Sequence, residues 1–102
     1  MNMDIETIAM ELVGNAGEAR SLAFEALAQA KNKNFEKAKE LLEESKQASL
    51  KAHHIQTDLI CQEADGNKVE IGLLMVHAQD HLMTSILARE LITEIISLYE
   101  KI

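Results

Sequence analysis

His77, Gln79, Asp80 and His81 lie together in the string VHAQDHLM, residues 76 to 83, within the most apolar stretch of the chain. Two histidines four apart stand one above the other on a helix, and three chemistries suit such a pair. The spacing is that of the two zinc ligands in HExxH, but Ala78 follows His77 directly, where that motif needs its general-base glutamate. The missing glutamate argues against metalloprotease chemistry, and a zinc site could recruit His53 or His54 only in a ligand pattern that is not a recognised one. The plain alternative makes both histidines interface residues satisfied by hydrogen bonds. The third is phosphoryl carriage. Neutral imidazole is a good nucleophile near neutral pH and forms a phosphoramidate that stays reactive, so it accepts a phosphoryl group and gives it away again. Such a histidine needs exposure at a docking surface, a fixed orientation and nearby donors, and His77 beside Gln79 and His81 meets those needs.

Asp80 raises a separate question. On a helical wheel of about 100° per residue it falls at the centre of an apolar stripe of Val69, Leu73, Val76, Met83, Leu87, Leu91 and Leu98. An ionised carboxylate buried without a partner is too costly to persist, so it is protonated, hydrogen-bonded or neutralised by a cation. If copies of the chain meet around an axis, their aspartates meet too and require a shared proton or a divalent metal, and oxygen ligands favour magnesium or calcium. At a bundle edge, Asp80 would bond Thr84 or water, and a buried polar residue also specifies register and oligomer state.

The elements that must position these residues are helices. The chain has 102 residues, 47% hydrophobic, 3% aromatic and 26% charged, without proline, and good helix formers dominate. Asn, Asp and Gly gather at KNKN, residues 31 to 34, and at EADGNK, residues 63 to 68, as turns require. These breaks predict one domain over residues 1–102, with helices at about 3–31, 34–63 and 68–101. Asn34 is the expected N-cap of the second helix, and Asp65-Gly66-Asn67 its stop.

In the first helix Ile5, Ile8, Leu12, Ala16, Ala19, Leu22 or Ala23, Ala26 and Ala30 recur at three and four, a small-residue seam that Gly14, Asn15 and Gly17 threaten to interrupt. In the second, Phe35, Ala38, Leu41 or Leu42, Ser45, Ala48, Ala52, Ile55 and Leu59 do the same against a charged face. Short connections make neighbours antiparallel, so the expected fold is all-α, an up-down-up three-helix bundle. The third helix also carries a second apolar set, Ile71, Met75, Leu82, Ile86 and Ile96, opposite the Asp80 stripe. Two partner helices cover one side only, which predicts a homo-oligomer with the third helix at its centre.

Composition removes other classes. A net charge of −7 argues against nucleic acid, whose phosphates need a basic face. The acidic start MNMDIETIAMEL lacks the pattern of a secretory signal, and no window has the uncharged length that spans a bilayer, so a cytoplasmic protein without membrane insertion is expected. Cys61 is alone and reads as a reduced thiol without a chemical role.

VHAQDHLM, together with GEARSLAFEAL (residues 17 to 27) and the second-helix opening FEKAKELLEESKQASLKAHHIQTDLI, closely resembles the enzyme IIA proteins of the lactose/cellobiose (N,N'-diacetylchitobiose) branch of the bacterial phosphoenolpyruvate-dependent sugar phosphotransferase system. The resemblance runs over essentially the whole chain. It implies a cytoplasmic carrier that takes a phosphoryl group from the histidine phosphocarrier protein HPr and passes it to a cysteine of the IIB component, which phosphorylates a disaccharide during transport. It implies a homotrimer, with His77 as the phosphorylated residue and Asp80 as ligand of a divalent cation, Mg2+ in the first instance, on the trimer axis. Gln79 and His81 match neighbours of the site and are carried over as orienters or phosphoryl contacts. Leu73, Leu74, Ala78 and Ala88 form the expected docking patch. The rivals are a histidine phosphotransfer domain of a two-component relay, normally a four-helix bundle with lysine and glycine shortly after its histidine, and a structural metal-binding helical oligomer.

Overall fold

A computed structural model describes residues 4–102. Three helices follow one another, α1 (Ile5–Lys31), α2 (Phe35–Ala64) and α3 (Leu73–Lys101), in a rod of 52 × 22 × 20 Å.

Asp4 starts α1: its carboxylate accepts from the Thr7 backbone N–H at 2.8 Å and from the Thr7 hydroxyl at 3.1 Å. Those bonds, the backbone one first, hold its carboxyl below the ordinary carboxylate value. Gly14, Asn15 and Gly17 do not interrupt the helix. It ends at a turn in which the Lys33 and Asn34 N–H groups reach back to Ala30 and Gln29, with Lys33 in the left-handed region at φ 63°. The end of α2 repeats this pattern with a glycine: Gly66 and Asn67 bond back to Glu63 and Gln62, and Gly66 has φ 92°. Asn34 occupies the N-cap position of α2, but its side chain makes no capping bond; it donates instead to Gln29 Oε1 at 3.1 Å.

The third helix begins at Leu73, not at 68. Residues 68 to 72 cross the end of the bundle without helical structure, and the low helix propensity of Val69, Ile71 and Gly72 does not oppose this. Val69 packs onto the core from that crossing, so Val69 and Ile71 leave the two apolar faces to which helical periodicity assigned them.

The core is built on the alanine seam. Ala9, Leu12, Ala16, Ala19, Ala23, Ala26 and Ala30 are buried along the length of α1, and their small side chains admit the other two helices. One cluster joins Leu12 and Ala16 to Ala52, Leu59, Met75, Ala78 and Leu82; a second joins Ala23, Ala26 and Ala30 to Ala38, Leu41, Ile92 and Ile96. Ser45 is fully buried and satisfied, its hydroxyl donating to the Ala19 carbonyl at 2.6 Å. Leu82 is also fully buried one residue beyond His81. Leu82→Ala is therefore expected to cost ~2–5 kcal/mol of stability, measured by denaturant unfolding, with a larger loss than the same change at exposed Leu91.

Candidate functional site

Helix α3 divides its apolar residues between two environments. Met75, Ala78, Leu82, Ser85, Ile92 and Ile96 face the bundle, whereas Leu73, Val76, Met83, Leu87, Leu91 and Leu98 remain 53–87% exposed. Asp80 lies in the exposed set. Its carboxylate takes no bond from Thr84: the Thr84 hydroxyl donates to the main-chain carbonyl of Asp80 at 2.9 Å, with that of His81 at 3.2 Å. Among the described residues no group of three or more His, Cys, Asp or Glu side chains could hold a metal. One chain alone thus does not supply a cation site at Asp80, nor a zinc site around His53 and His54.

His77 and His81 come together as helical spacing requires. Their rings stack, with centroids 5.7 Å apart and planes 16° from parallel. His77 is exposed, whereas His81 is half-buried in a shallow groove against α1 lined by Gly17, Arg20, Ser21 and Phe24. The Arg20 guanidinium carbon is 5.7 Å from the Phe24 ring centroid, a cation–π contact on the wall of the same groove. An exposed imidazole stacked on a second ring has the accessibility that nucleophilic chemistry requires.

Gln79 is placed differently. Two residues on from His77 it projects about 200° round the helix, and its Oε1 accepts from Gln56 Nε2 of α2 at 2.7 Å while its Nε2 donates to Met75 Sδ at 3.5 Å. Within one chain it is therefore on the α2 side of α3, away from the histidine pair. Of the expected docking patch, Leu73 is exposed and Leu74 and Ala88 are half-buried, but Ala78 is fully buried. Ala78 belongs to the core because it lies on the side of α3 that packs against Leu12 and Ala16.

Gly17 and Gln56 escaped the reading of residue spacing. Both act across helices, and no spacing within one helix signals a partner on another.

An all-α bundle of three helices that presents the exposed His77 ring stacked on His81 defines the class, a small helical protein with an accessible imidazole pair. Residues 7–100 match the family described as the PTS system, lactose/cellobiose-specific IIA subunit, and the chain belongs to that family, making it a phosphotransferase component. It is 52% identical over 99 residues to the N,N'-diacetylchitobiose-specific EIIA component of the PTS system of Escherichia coli K12, covering 97% of this chain and 85% of that protein. The fold superposes on the PTS cellobiose-specific enzyme IIA from Bacillus anthracis with a TM-score of 0.94 at 48% identity, over 99% of this chain and 93% of that one. It also superposes on a chain of the IIA(chitobiose)–HPr complex of the E. coli N,N'-diacetylchitobiose branch with a TM-score of 0.85 at 50% identity, over 98% and 97% of the two chains. No helix among the described residues is long and apolar enough to cross a membrane.

Proposed function

We propose that this chain is a cytoplasmic phosphoryl carrier for uptake of a disaccharide of the lactose, cellobiose or chitobiose type. His77 accepts a phosphoryl group from HPr and passes it to the cysteine of a IIB component. The observation that carries this reading is the exposed His77 ring stacked on His81 in a chain 50% identical to a IIA protein solved in complex with HPr. In each step one bond to phosphorus forms at the acceptor as one breaks at the donor, so no co-reactant is consumed. The chain's part is to hold a nucleophile in line with an incoming phosphorus; the partners dock in turn and leave.

The donor tests this reading. Incubation with phosphoenolpyruvate, enzyme I and HPr is expected to add one phosphoryl group per chain, which a IIB component then removes. Labelling by the aspartyl phosphate of a response-regulator receiver, with none from HPr, would overturn it.

The same reading includes assembly. Three copies meeting along the exposed stripe of α3 cover the side chains that one bundle leaves open, and three Asp80 carboxylates converge there. The Asp80 carboxylates would hold a divalent cation, Mg2+ first among candidates, which would offset most of their combined negative charge. Asp80→Leu is expected to abolish stoichiometric divalent metal, read by elemental analysis of the purified oligomer. The oligomer should persist or gain stability, because buried like charges are removed with the ligand. Metal retained in that variant would dismiss Asp80 as the ligand.

A further inference from the structure

The histidine pair touches α1 at a glycine. Among the described residues no hydrogen bond is made by the His81 ring, so its orientation comes from packing, with the His77 ring at 5.7 Å and the main chain of α1 at Gly17. A Cβ placed on Gly17 would lie 3.4 Å from His81 Nε2. That is the near limit of ordinary contact, so a methyl group fits, whereas a longer side chain directed at the His81 ring would displace it. Gly14, three residues earlier on the same helix, has nothing within 4 Å of such a Cβ, so close approach is specific to position 17. A glycine here also runs against local preference, since alanine suits a helix interior better.

We propose that Gly17 is a positioning residue for phosphoryl transfer: its bare backbone lets the His81 imidazole lie against α1, and His81, by stacking, holds the His77 ring toward the docking partner. The inference rests on the carrier reading above. A long side chain at position 17 pushes His81 outward, and among the described residues the ring stacked on it is that of His77, so the displacement reaches the nucleophile without any contact between Gly17 and the phosphoryl group.

Gly17→Leu and Gly17→Ala, each in the wild-type and the His81→Ala background, make the test. Two quantities are read: the rate of phosphoryl acceptance from HPr and the ring resonances of His77 in the unphosphorylated protein. Gly17→Leu is expected to shift the His77 resonances and slow acceptance by roughly ten- to a hundredfold. Gly17→Ala, the conservative variant, should recover most of that rate. In the His81→Ala background the leucine should add no further slowing and no further shift, because the residue through which it acts is gone.

Equal slowing in both backgrounds, or unshifted His77 resonances, would overturn the inference by making Gly17 a docking contact. Helical content and thermal unfolding identify a leucine variant that does not fold. Gly17→Phe and Gly17→Val then replace it in the same cycle. Failure of the wild-type chain to accept a phosphoryl group would overturn the carrier reading and this inference together, and it is seen before any substitution is made.

Discussion

His77→Ala should accept no phosphoryl group from HPr and should abolish uptake of the cognate sugar, while His81→Ala should remain phosphorylatable at a rate lowered roughly ten- to a hundredfold. The asymmetry follows from exposure. His77 presents its imidazole to solvent, whereas His81 is half-buried with one side against Gly17 and a face toward His77. An incoming phosphorus has room at His77. Loss of the neighbouring ring removes orientation without removing the nucleophile. The check is the time course of acid-labile mass gain for the two variants beside wild type, with uptake measured in a strain carrying each. Since neither residue is in the buried core, helical content should be unchanged in both. An unaffected uptake in His77→Ala would favour the structural-oligomer reading.

The second large effect is expected at Leu87→Asp, which should convert the proposed trimer to monomers. Leu87 is 55% exposed in the single chain, in the stripe that runs from Leu73 to Leu98 on α3. An apolar face this long is rarely left to water. Leu87 is not part of either buried cluster, so the subunit itself should keep its helical content and cooperative unfolding. A carboxylate introduced into the proposed interface would lose several kcal/mol of hydration in each copy, with no cation proposed at that level. Sedimentation velocity reads the result directly. A monomeric wild type, or a variant of unchanged mass, would contradict assembly through this face.

Much of this fold was legible in the residue pattern because the pattern is physical. The alanine seam of α1 and the Ala38–Ser45–Ala52–Leu59 line of α2 are buried where their periodicity places them. Gly66 takes the left-handed conformation at the end of α2 that a glycine after a helix suggests. The start of α3 was misplaced by five residues because the apolar Val69 and Ile71 fit a helical stripe as well as a crossing strand of chain, and only the tertiary path decides between them. The end of α1 puts Lys33, not an asparagine, in the left-handed position, so turn composition located the turn without locating the residue that makes it.

The site divides in the same way. The stacking of His77 on His81 follows from a spacing of four on one helix, and the position of Asp80 on an uncovered apolar face follows from the wheel. The Gln56–Gln79 bond, the approach of His81 to Gly17 and the burial of Ala78 depend on how helices pack against each other, which spacing along one helix does not encode. The two-component rival expects a four-helix bundle; three helices among the described residues and membership of the IIA family answer it.

The most direct test of the central claim is detection of the phosphorus–nitrogen bond itself, by phosphorus–nitrogen correlation NMR on the chain labelled with 15N-histidine and phosphorylated through enzyme I and HPr. The account predicts one coupled imidazole per chain, assigned to His77 by its absence in His77→Ala. A coupling to His81, His53 or His54, or phosphorus bound to no histidine, would contradict it.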